Sequence, residues 1–182
     1  MKILEKKWMS LTKKPSLILF SLFILFTSSI HSTSSEIIIF GNAKIIDGDT
    51  IKINKKKIRL FGIDAPEKKQ TCKKIYLNLF ILNFQKDYKC GEESTLALIK
   101  KLKGKKVKCI LEKAKDRYNR NIGICFYKNQ DINKWLVKNG YAVAYKKYSK
   151  KYILDEQYAR ENKLGIWRGS FIKPEKWRRI KK

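Results

Sequence analysis

A chain of 182 residues with 43 Lys and Arg against 16 Asp and Glu carries a formal charge of +27 at neutral pH. That field favours polyanions, nucleic acid first and anionic membrane or cell-wall polymer second, although only seven basic residues are Arg and abundant Ile and Asn point to a compositional bias toward Lys. The single histidine is His31; beyond it, Ser–His and Cys–His pairs, His-ligated zinc and any nuclease with an imidazole base are excluded.

Lys6, Lys7, Lys13 and Lys14 precede the apolar run Leu17–Phe26, and small residues follow it, the pattern of a secretory signal peptide over residues 1–35. The run is shorter than the roughly 20 apolar residues of a spanning helix. An uncleaved anchor at residues 17–30 is the alternative, because no sharp A-x-A site is present. Without residues 1–35 the chain keeps a net charge of +23, in a length that suits one domain with a proper core.

Ile37 to Ile46 is β-branched and apolar, Asp47-Gly48-Asp49 turns, and Thr50 to Asn54 alternates with Ile51 and Ile53 on one face. Lys55-Lys56 leads into Ile58–Ile63, completing an antiparallel meander of three strands. Lys68 to Lys89 is an insertion rich in Lys, Asn and aromatics. Glu92–Leu102 has helical spacing at Leu96, Ile99 and Leu102, with acids in its first turn. Val107–Leu111 and Ile122–Tyr127 supply two more strands. Asp131 caps a short helix that turns Ile132, Trp135 and Leu136 inward and stops at Gly140. A last helix runs from about Lys151 to Lys163. Five strands split 3+2 around a helix predict an α+β fold, an OB-type five-stranded barrel with about three helices. Residues 36–170 form the domain, and residues 171–182 a basic tail with Trp177 packed on it.

Cys72, Cys90, Cys109 and Cys125 form no C-x-x-C, so zinc is disfavoured. In an exported protein an even count reads as two disulfides, with three pairings possible. Cys72–Cys90, closing a loop, and Cys109–Cys125, across neighbouring strands, are favoured.

Three polar segments stand out: Asp47-Gly48-Asp49-Thr50, the strand end Arg59 to Glu67, and Asp116-Arg117-Tyr118-Asn119-Arg120. Alone, each reads as turn or loop chemistry. Strict alternation puts Arg59 and Asp64 on opposite faces of a strand, and they converge only if the chain bends at Gly62. Together the segments are complementary. Phosphodiester hydrolysis without histidine needs a hard cation, which Asp49 and Asp64 can hold with a backbone carbonyl. It needs planar cations on the phosphate, supplied by Arg59 and Arg120. It needs a carboxylate for the attacking water, and Glu67 is free.

IDGDT, RLFGIDAPE, CGEES, DRYNR, KNGYAVAY and LGIW, in that order, resemble the thermonuclease (staphylococcal nuclease) family from about Ile37 to Trp167. The resemblance implies a calcium-dependent nuclease on an OB-fold, cutting DNA and RNA to 3′-phosphate ends. It implies Asp49 and Asp64 as metal ligands, Arg59 and Arg120 on the scissile phosphate, Glu67 as general base and Tyr118 beside the nucleotide. Ala65 stands where the best-known member has threonine, and the Lys68–Lys89 insertion is longer than in that member. The expected partner is nucleic acid, single strands favoured, met by a monomer with no protein partner, secreted or periplasmic. The alternatives are a non-catalytic OB-fold module that binds single strands and a cationic surface protein.

Overall fold

The computed structural model describes residues 36–80 and 82–181; the signal-peptide expectation falls outside them. Glu36–Lys182 form a compact unit. The long apolar run predicted at the start is one strand path in two pieces, β1 (Ile37–Asn42) and β2 (Lys44–Asp47). It is followed by β3 (Thr50–Ile53), β4 (Lys56–Leu60), β8 (Lys106–Lys115) and β9 (Asn121–Tyr127). The sheet order is β1-β8-β9-β4-β3-β2. The two edges of this sheet are thus consecutive in sequence, joined at Ala43. One path pairs with β8 through its first half and with β3 through its second, and the sheet curls into the barrel expected of five strand paths.

The β2–β3–β4 meander is antiparallel, and β4 meets β9 in parallel. Ile51, Ile53, Ile58, Leu60, Val107 and Leu111 fill the interior, as strand alternation requires. Cys109 and Cys125 sit directly opposite each other on β8 and β9 and are bonded. The other disulfide joins Cys72 to Cys90, so both favoured pairings are those present.

Helix α1 (Cys90–Leu102) packs Leu98 and Leu102 into the barrel core, so that of the three positions expected to face inward only Leu102 does. Leu96 is 62% exposed and Ile99 37%, whereas Leu98 is fully buried and Leu102 nearly so. Cys90, Gly91, Ser94 and Thr95 complete the inward stripe. Small and polar residues face the site loops there, and an apolar count alone selects the wrong side. Helices α2 (Ile132–Lys138) and α3 (Ile153–Glu161) follow. Asp131 caps α2 by accepting from Lys134 N–H at 2.9 Å, and Gly140, at φ +70°, ends it. A fourth helix, α4 (Pro174–Ile180), lies where the basic tail was expected, with Pro174 buried at its first turn and Trp177 half-buried.

The insertion is a hairpin of β6 (Cys72–Leu79) and β7 (Leu82–Tyr88) that pairs with no other described strand. The face of α1 can be checked by substitution. Leu98→Ala should cost about 2–5 kcal/mol and Leu96→Ala less than about 0.5 kcal/mol, read from denaturant midpoints. Equal losses would restore the predicted face.

Candidate active site

The three polar segments converge at one mouth of the barrel. Strand β4 ends at Leu60, and Phe61-Gly62 turn the chain into β5 (Ile63–Asp64), which pairs with β10 (Val143–Ala144). Gly62 has φ +72°, open to glycine and costly to other residues. The bend brings Asp64 back to Arg59, whose Nη2 donates to Asp64 Oδ1 at 2.7 Å. The same guanidinium donates through Nη1 to Asp49. Asp49 also accepts from Ala65 N–H at 2.8 Å and from the Thr50 hydroxyl at 3.2 Å.

Both carboxylates are nearly inaccessible. Burial pushes the Asp49 carboxyl up to about 6, against the pull of Arg59. Burial raises Asp64 too, opposed by Arg178 and Arg59. At neutral pH the charged pair therefore depends on the guanidiniums between them.

Arg120 belongs to the β8–β9 loop. Its backbone N–H and its Nε both donate to Asp116, at 2.9 and 2.7 Å, and its Nη1 approaches the Thr50 hydroxyl at 3.4 Å. Burial disfavours the Asp116 anion, but the N–H groups of Arg120 and Tyr118 and the Arg120 guanidinium hold its carboxyl below the usual range. Tyr118 is 61% exposed, with the guanidiniums of Arg120 and Arg117 over its ring at 5.3 and 4.9 Å.

Glu67 joins the cluster through a residue the sequence reading passed over. Arg178, on α4, donates to Asp64 Oδ1 and Oδ2 at 2.9 and 3.1 Å and to Glu67 Oε1 at 2.8 Å. A signal existed, since Arg178 is one of the scarce arginines in a lysine-rich chain. The Glu67 turn is fixed from below. Gln70, fully buried, accepts from Glu67 N–H at 3.2 Å and donates to the Ile172 carbonyl at 2.7 Å. A Cβ on Gly91 would fall 1.7 Å from the Glu67 carbonyl oxygen, so only glycine lets α1 approach this turn. Tyr145, for which the sequence suggested no role, borders the cluster. Burial and the charges of Glu175 and Asp64 raise its hydroxyl.

Among the described residues no three His, Cys, Asp or Glu side chains form a ready metal cage. Asp49 and Asp64 nevertheless offer oxygen donors only, two carboxylates held together by a cation, which suits a hard divalent ion completed by water or phosphate oxygens. They fit calcium in kind.

The family model described as "Staphylococcal nuclease homologue" matches residues 57–169. The chain belongs to the staphylococcal nuclease family. An endonuclease of Haemophilus influenzae, designated uncharacterized, is 34% identical over 174 residues, 91% of this chain and 86% of that protein. A second endonuclease with that designation, from Escherichia coli O157:H7, is 31% identical over 146 residues, 76% and 83% of the two chains. The succinoglycan biosynthesis protein ExoI of Rhizobium meliloti is 36% identical over 140 residues, 76% and 69%. As a staphylococcal nuclease homologue with endonuclease relatives, the chain is a phosphodiester hydrolase acting on nucleic acid.

The Arg178 contacts have a measurable weight. Arg178→Met should destabilise the calcium-free protein by about 1–3 kcal/mol at neutral pH and low salt, since it strips a charge-assisted partner from buried Asp64. Arg179→Met, which removes only a pair with Glu175 on the same helix, should stay within about 0.5 kcal/mol. Urea unfolding of both variants decides; equal stability would make the α4 contact incidental.

Proposed function

We infer that the chain is a calcium-dependent nuclease that cuts DNA and RNA to 3′-phosphate ends, with single strands favoured, and that it works as a monomer outside the cytoplasm. The observation that carries this reading is the Arg59 guanidinium shared by Asp49 and Asp64, with Glu67 tied to the same cluster. Two disulfides suit an oxidising compartment, and no described helix is long and apolar enough to cross a membrane.

Asp49 and Asp64 would hold the calcium ion, which when bound supplies positive charge against a phosphoryl oxygen. Arg120, its Nε held by Asp116, presents its remaining N–H groups toward Thr50 and the phosphate. Arg59 turns its fork from carboxylate to phosphate as negative charge grows in the transition state. Glu67 orients the water and takes its proton. Tyr118 and Tyr145 flank the nucleotide. Arg178 occupies both oxygens of Asp64 and one of Glu67, so its withdrawal would free Asp64 Oδ2 for a cation and Glu67 Oε1 for water.

Purified protein should cleave single-stranded DNA with calcium and stop with excess chelator. Glu67→Gln should lower turnover roughly 10²–10⁴-fold and Arg120→Lys roughly 10²–10³-fold, with unfolding midpoints unchanged. Wild-type turnover in both variants would remove the assigned chemistry. Arg178→Ala should bind calcium more tightly by titration calorimetry, independently of cleavage. Weaker calcium binding would instead place Arg178 in support of the cation site.

A further inference from the structure

The β6–β7 hairpin leaves the domain at a fixed base. The Cys72–Cys90 disulfide ties it to α1, and Lys73 N–H donates to the Ser170 carbonyl at 2.9 Å. Beyond that base the described side chains of both strands from Ile75 to Asp87 are exposed, and no other described strand pairs with either. Its chemistry is sorted along its length. Lys73, Lys74, Lys86 and Lys89 lie toward the base with one acid, Asp87. Tyr76, Leu77, Leu79, Phe80, Leu82 and Phe84 lie toward the tip, all exposed, with Phe80 wholly so.

We propose that this hairpin is a membrane-docking finger that sets its apolar tip into the interfacial layer of an anionic lipid bilayer while its basal lysines meet the headgroups. Exposed apolar side chains packed this densely are unusual on a soluble domain and mark an interaction site. Leu77 pairs with Phe84 and Leu79 with Leu82, so the apolar rungs span about 10 Å at roughly 3.3 Å per residue. That is the depth to which interfacial elements sink, about 5–10 Å. The Lys74–Lys86 rung lies about 20 Å from the tip, so with the tip sunk about 10 Å its ammonium groups, on flexible stems, stand within about a Debye length of the anionic headgroups. Unpaired strand edges bar deeper entry, because hydrocarbon cannot satisfy their N–H and C=O groups. Docking is therefore shallow.

Other occupants meet only half of this pattern. A nucleic acid satisfies the lysines but offers no apolar interior to Leu77, Leu79 and Leu82. A second copy would satisfy the tip but oppose lysine to lysine. Lipid meets both in the order in which the hairpin presents them.

The test uses residues 36–182, which carry their own core, with sucrose-loaded vesicles of phosphatidylcholine, alone or mixed with phosphatidylglycerol. Partitioning to the anionic vesicles should exceed that to neutral ones at least ~10-fold. The double variant Phe80→Asp/Leu82→Asp should lose most of it, at least ~10-fold, while cutting a short oligonucleotide in solution at the wild-type rate. Membrane binding and catalysis are thereby read separately. Phe80→Trp should show a blue-shifted emission on anionic vesicles. Undiminished partitioning in the double variant would overturn the proposal. So would loss of calcium-free single-stranded DNA binding, or of a concentration-dependent dimer, with partitioning intact.

Discussion

Two carboxylates buried side by side repel each other and resist losing water, and Asp49 and Asp64 are held so by the Arg59 guanidinium between them, with Arg178 on the outer side of Asp64. Arg59 belongs to a barrel strand, Asp49 to the turn before its neighbour, and Asp64 to the segment after the Gly62 bend. The ion triad thus fixes where three pieces of backbone meet. In a low-dielectric setting such a network is strong when complete and costly when any member is missing.

Support for the triad comes from distant parts of the chain. Gln70 links the Glu67 turn to the segment before α4, and α1 packs against the same turn through Gly91. Ser94 on α1 donates to the Tyr141 carbonyl at 2.7 Å, beside the strand that pairs with Asp64. These contacts place polar and small residues on the inner face of α1 where a simple core helix would carry leucine. Geometry at the mouth takes precedence there over apolar burial.

Much of this was legible in the sequence. The Gly62 bend followed from the need to bring Arg59 and Asp64 to one side. The cysteine pairs followed from a loop and two neighbouring strands, and the cap at Asp131 from its position before an apolar triplet. What could not be read has physical reasons. The split of the first strand at Ala43 depends on which partner each half meets, a long-range fact. Leu96 and Ile99 matched the helical period, yet tertiary contacts chose the adjacent stripe. Helix α4 has no apolar stripe to announce it, and the value of Arg178 lies in residues far away in sequence. Apolar residues in the insertion gave no hint that they would remain uncovered.

The strand path shared by β1 and β2 bears on the order in which the barrel can assemble. The β2–β3–β4 meander needs only near neighbours, so its loop-closure cost is small. Strand β1 must wait for residues 106–111, a pairing of high contact order that closes slowly. As the chain emerges from a ribosome or translocon, Ile37, Ile38 and Phe40 appear long before their partner strand. The earliest strand is then left without its partner while residues 43–105 are made, and its unpaired edge is open to misassociation until β8 arrives.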